Sequence, residues 1–188
     1  MTELAAPYTI SPSNDSTLAI EVFKTGLHRR KKHILFFEKY NGELWFAPDR
    51  PEASQVKLVV EATSAVCRDA WLSEKKRQAV TQFVRKEGLD VSTHPLIEFT
   101  STRVYPKKLR GFSVDGVLNI RGVTRIVKVN VVLSPRKNDR FQVDGDATLR
   151  LSDFGVPRPA AMFGLTGTRD EALIRLLLWA QPAMHPSN

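Results

Sequence analysis

Cysteine is almost absent: the 188 residues include one, Cys67. That excludes an intrachain disulfide and a four-cysteine zinc site. Long apolar runs are missing too. The longest, "LLLWA" at 176–180, is strand-sized and far short of the ~20 residues a membrane-spanning helix needs. The N-terminal "MTELAAPYTI" has neither a basic n-region nor an apolar h-region, so a cytoplasmic location is expected. Catalytic signatures are also lacking, with no G-x-S-x-G, H-E-x-x-H, P-loop or G-x-G-x-x-G spacing. Histidines number four, at 28, 33, 94 and 185. His28 and His33 flank the cations Arg29, Arg30, Lys31 and Lys32, whose repulsion disfavours a protonated base and a metal alike. His94 precedes Pro95 at a strand entrance and reads as structural, and His185 lies in the tail. Arg68 beside Cys67 would lower the thiol's pKa, although lone cysteines are usually quiet small residues. The expectation is a protein with no catalytic residues and no metal ligands.

What is present is β-structure. Hydrophobic residues make up 42% and charged residues 26%, a globular composition. Eight stretches alternate with a period of two. One face of each reads Leu18, Ile20, Val22; Leu44, Phe46; Val56, Leu58, Val60; Ile97, Phe99; Phe112, Val114, Gly116, Leu118; Val127, Val129, Val131; Phe141, Val143, Gly145, Ala147; and Ile174, Leu176. Connectors such as "RGVTR" and "SPRKNDR" fall short of the dozen or so residues a parallel crossover takes, so the strands should pair antiparallel. One segment has helical spacing instead. Leu72, Ala79, Val80, Phe83 and Val84 give an amphipathic helix over about 72–87, with Ser73 as N-cap and Gly88 as terminator. The expected fold is mostly β: eight antiparallel strands whose apolar face is hidden either by closure into a barrel, with the helix covering one end, or by packing on something else. A single domain is expected over 7–181, with loose ends at 1–6 and 182–188. Patterning leaves a filled interior and a ligand slot both open, the small residues Gly116, Gly145 and Ala147 fitting either.

The chain resembles the YceI-like family. The resemblance runs from "YTISPSNDSTLAIEVFKTGL" through "NGELWFAPDRPEASQVKLVVEATSA". It resumes at "LDVSTHPLIEFTSTRV" and "FSVDGVLNIRGVTRIVKVNVVL", and ends with "LSDFG" and "RDEALIRLLLWA". Departures are Arg121 where the family commonly has histidine in "RGVT", His94 where a tyrosine commonly stands, a longer helical insert and the "HRRKKH" stretch. The resemblance implies a lipocalin-like barrel that holds a long apolar lipid, such as a polyisoprenoid, quinone or fatty-acid derivative, without catalysis. The inward residues above, with Phe83, then become pocket-lining candidates, and Met162 and Phe163 in "AAMFGL" become candidates for the rim. No cofactor is expected beyond such a bound lipid.

Two surface features remain. The net charge of +8, from 28 basic and 20 acidic residues, favours anionic partners without choosing among them. Arg29, Arg30, Lys31 and Lys32 read as a loop that is solvated, receives an anionic head group or docks on an anionic membrane. Nucleic acid is disfavoured, because the aromatic interleaving of a base-stacking surface is weak there. Trp45, Leu173, Leu177 and Trp179 point outward, which fits either a homodimer interface or cover by the helix or N-terminal segment.

Overall fold

Period-two patterning draws almost the whole chain into one antiparallel sheet. The computed structural model describes residues 6–158 and 167–183. The strands are β1 (Ala6–Ile10), β2 (Thr17–Lys24), β3 (Lys32–Phe37), β4 (Tyr40–Phe46), β5 (Gln55–Glu61), β6 (Ala65–Cys67), β7 (Leu96–Pro106), β8 (Gly111–Ile120), β9 (Val123–Pro135), β10 (Phe141–Arg150) and β11 (Thr168–Pro182). The helix α1 (Glu74–Phe83) passes directly into a π-helical turn, Val84–Gly88. Ser73 caps α1 by accepting a hydrogen bond from the Lys76 amide at 3.4 Å, as its position promised.

Eleven strands make eight staves because three staves are broken. β1 and β2 lie end to end along one edge of β11: Ile10 faces Ala180, and Thr17 faces Leu177. β4 pairs with β1 while β3 pairs with β2, and β5 pairs with β4 while β6 pairs with β3. The remaining strands run β7-β8-β9-β10-β11 as a meander. Closure comes from β1, which bonds both β4 and β11 and completes a ring of eight at one end of the barrel. Sequence patterning finds the long staves but not β1, β3 or β6, and it places the cation run in a loop. In fact β3 begins at Lys32, so Lys32 and His33 are strand residues.

At the other end the ring is split. β6 pairs with β3 on one edge and, among the described residues, has no strand on its other edge. The helical segment fills that side. Thr81 Oγ1 accepts a hydrogen bond from the Cys67 amide at 2.9 Å, and Arg85 Nε donates to the Ala65 carbonyl at 2.8 Å. Two side chains thus satisfy edge groups that a neighbouring strand would otherwise hold. Across the gap, Arg121 Nη1 donates to the Gly88 carbonyl at 2.7 Å. Arg121 and Gly122 form the two-residue β8–β9 turn with φ of 56° and 73°. That pair of positive φ values marks a type I′ hairpin, the turn that matches strand twist. His94 lies under this turn, 2.8 Å from where a Gly122 Cβ would be, which agrees with a structural role.

The small inward residues do not leave empty space. A Cβ on Gly116 would meet the Phe99 ring at 2.3 Å, and one on Gly145 would meet Leu176 Cδ1 at 2.7 Å. Each glycine is the recess into which a cross-strand side chain folds.

Candidate ligand-binding site

The barrel interior holds two adjoining cavities. The narrower, about 160 Å³, lies within the closed ring and is lined by residues such as Leu44, Phe46, Phe112, Val129 and Leu178. The wider, about 410 Å³, lies beneath the helix at the split end and is lined by Ile20, Val22, Leu35, Phe37, Phe83 and Ile120 among others. Leu18, Leu118 and Ile174 line both, so the two are lobes of one interior. The wider lobe alone is in the range of about 300–1,000 Å³ found for small-molecule sites.

Most of the inward residues predicted from sequence meet here. Leu44, Phe46, Leu58, Phe99, Phe112, Val114, Val129, Val131, Val143 and Leu176 line the narrow lobe. Ile20, Val22, Phe83 and Ile97 line the wide one. Val60 and Phe141 line neither: Val60 is buried in the packed core and Phe141 packs against it, with Phe141 edge-on to Tyr8 and Phe46. Met162 and Phe163 lie outside the described residues. On α1 and the turn that follows, Ala79, Val80, Phe83 and Val84 all face the wide lobe, which explains the helical spacing of apolar residues there.

The wide lobe has polar lining that sequence reasoning did not pick out. Lys24, His33 and Thr168 are the polar side chains among its described lining residues. Lys24 continues the inward series Leu18, Ile20, Val22 by one step, and His33 continues Phe37 and Leu35 backwards by one step. Extending each alternation past its last apolar member would have found both. His33 is held from behind by Asp69, whose side chain is 1% exposed. Asp69 Oδ2 accepts from His33 Nδ1 at 2.7 Å and from the Cys67 thiol at 3.2 Å, and Oδ1 accepts from the Ile34 amide at 2.9 Å. Trp71 stacks on the imidazole with ring centroids 5.3 Å apart. This arrangement corrects the expectation that His33 is simply repelled by its cationic neighbours: it has a buried carboxylate of its own.

His33, Cys67 and Asp69 also bring one nitrogen, one sulfur and one oxygen within 4.8 Å of each other, a donor set that suits zinc. In this arrangement the groups satisfy each other by hydrogen bonds. Burial pushes the Cys67 thiol up to about 11, so Arg68 does not activate it. Arg68 turns outward instead, pairing with Glu38 and lying over Phe36.

The four cations part company. Arg29, Arg30 and Lys31 are exposed beyond the turn Gly26–His28, and Lys31 Nζ lies 5.4 Å from the Trp71 ring centre. Lys32 points away from the interior to Glu21, at 2.8 Å. The outward aromatic residues are covered by cations rather than by the helix: Lys57 lies over Trp45 and Arg140 over Trp179. Trp45 stands on β4 and Leu177 and Trp179 on β11, with β1 between those strands.

Over residues 8–176 the sequence matches the YceI-like domain. The chain belongs to the YceI-like family. A UPF0312 protein of Pseudomonas paraeruginosa is 31% identical over 153 residues, covering 72% of this YceI-like chain and 75% of the relative. Among solved structures, Burkholderia cenocepacia BcnA superposes with a TM-score of 0.70 at 19% identity, covering 88% of this chain and 96% of BcnA. A polyisoprenoid binding domain from Saccharophagus degradans superposes with a TM-score of 0.64 at 13% identity, covering 96% and 100%. At such identities the two structures speak for the fold, and the YceI-like barrel is the architecture they share with this protein.

Proposed function

We propose that this protein binds one long apolar lipid inside the barrel and carries or sequesters it without transforming it. The observation that carries the reading is the two-lobed interior, walled almost throughout by aliphatic and aromatic side chains. Family membership supports it, as does the likeness of the fold to the Saccharophagus degradans polyisoprenoid binding domain. Energetics agree: each buried methylene contributes about 0.8 kcal/mol. Ten of them would supply about 8 kcal/mol before the costs of association. A tail therefore suffices for affinity, while a uniform apolar wall sets little chemical preference. Native mass spectrometry of the protein as purified, with organic extraction of what it holds, should find a stoichiometric long-chain amphiphile. Absence of any such species, together with no saturable uptake of one, would remove the reading.

A second reading concerns where the lipid enters. Leu27 is 71% exposed and Trp71 39% exposed. Arg29 and Arg30 follow Leu27 in the same exposed turn, Lys31 lies over Trp71, and the lining of the wide lobe reaches Lys24 and His33 at the adjoining ends of β2 and β3. Exposed apolar tips among cations suit contact with an anionic leaflet, where each cation adds about 1 kcal/mol.

A further inference from the structure

The inward faces of β2 and β3 are apolar ladders that end in nitrogen at the same end. On β2 the series Leu18, Ile20, Val22 ends at Lys24; on β3 the series Phe37, Leu35 ends at His33. Val22 faces His33 directly across the strand pair. Lys24 is thus the diagonal neighbour of His33, a spacing of about 7–8 Å between backbones that long side chains span. Thr168 faces Lys24 from β11 and completes the polar edge of the lobe.

Two facts separate this pair from ordinary surface polarity. His33 is a positioned group. Its Nδ1–H is given to Asp69, Trp71 packs on its face, and Asp69 in turn is fixed by the Ile34 amide and the Cys67 thiol. Nε2 carries no hydrogen bond among the described residues. With the tautomer fixed this way, Nε2 accepts a proton-bearing group when the ring is neutral and donates when it is charged. Lys24, for its part, is half-buried and has no carboxylate partner among the described residues. The acidic groups nearby are already taken: Glu21 by Lys32, and Asp170 by Ser152, Arg150 and Arg158. An ammonium beside an apolar cavity, without a counter-charge, gains most from an anion that the ligand itself brings.

We propose that Lys24 and His33 form a head-group subsite that selects amphiphiles bearing an anionic oxygen, with the tail lying in the apolar lobes. This inference rests on the lipid reading above and names the class of lipid. Lys24 supplies charge; His33 meets the anionic oxygen as an imidazolium, donating from Nε2 while Nδ1–H stays on Asp69, which acts as a positioning residue and balances the ring's charge.

Binding of three ligands, a prenyl monophosphate, a long-chain fatty acid and the matching prenyl alcohol, would be titrated into delipidated protein. The wild type, Lys24→Met, Lys24→Arg, His33→Phe and Asp69→Asn would be compared. Lys24→Met should weaken phosphate and carboxylate ligands at least tenfold and the alcohol less than twofold, and Lys24→Arg should restore most of the loss. His33→Phe and Asp69→Asn should weaken the anionic ligands by a smaller factor, again sparing the alcohol. A phosphate-over-carboxylate preference in the wild type identifies a phosphorylated lipid, and the reverse identifies a fatty acid. Equal losses for alcohol and anion, or none for either, would overturn the subsite and leave the lipid reading standing. A wild-type protein that takes up none of the three would remove both. Thermal melts of each variant guard against loss of fold, and Lys24→Arg keeps the test decisive if Lys24→Met is unstable.

Discussion

At the residue scale, Cys67 shows how environment overrides sequence neighbourhood. Adjacent Arg68 suggests an activated thiol, yet the side chains diverge and the thiol donates to buried Asp69. Burial is the main cause of its pKa rising from 9.0 to about 11. The sign of the pH effect follows. Between those values the unfolded chain holds fewer protons than the folded one, so stability falls as pH rises. The contribution is intact below about pH 9 and is lost as pH approaches about 11. Melting temperature against pH should therefore decline more steeply over this window in the wild type than in Cys67→Ala. Tyr8 and Tyr40, also shifted upward by burial, act equally in both proteins and drop out of the comparison. Parallel curves would show that the thiol is not held protonated by the fold.

Elements differ in how openly the sequence declares them. β8 and β10 are read correctly because one side faces the interior and the other faces water, which preserves the alternation. β3 is hidden for the opposite reason. From Ile34 to Phe37 both faces are apolar, since Phe36 lies under Arg68 on the outside while Leu35 and Phe37 face the lobe. Its first two residues, Lys32 and His33, look like the end of a charged loop. β6 is three residues long and carries no period at all. The candidate site was legible where apolar residues alternate with polar ones; Leu35 and Phe37 were missed with β3, and Lys24 and His33 were missed because they break the hydrophobic pattern that marks an inward face. The helical segment's role was half visible: its apolar stripe predicts cover, but its bonds to the β6 edge depend on tertiary placement. Thr81→Val keeps the shape and removes the acceptor of the Cys67 amide, leaving a buried donor unpaired at a cost of about 1–3 kcal/mol. Hydrogen exchange should speed up first at β6 and α1 in this variant, with the closed ring unaffected. Uniform acceleration across all strands would mean that the helix is integral to global stability rather than a separately opening cover.

For the whole molecule, the two barrel ends are unequal. One is a hydrogen-bonded ring; the other is a split sheet with a helical segment, a polar pair and an exposed cationic turn on the same side. If that side meets membranes, the protein should float with vesicles containing about a third anionic lipid and not with neutral ones, and salt should release it by screening the cations. Leu27→Ala should reduce flotation several-fold while leaving lipid content unchanged. Binding that ignores vesicle charge would remove the electrostatic docking reading. The closed end carries a different consequence. Its seam joins β1 to the end of β11, where Thr9 Oγ1 meets the Gln181 carbonyl across 172 positions of sequence. Contacts between residues so distant form late, because a long loop must close first. During synthesis β1 emerges before β2 to β10 and has no β11 to bond until β11 too has left the ribosome. The nascent protein is an open sheet with no interior, and a lipid can be enclosed only by the finished barrel.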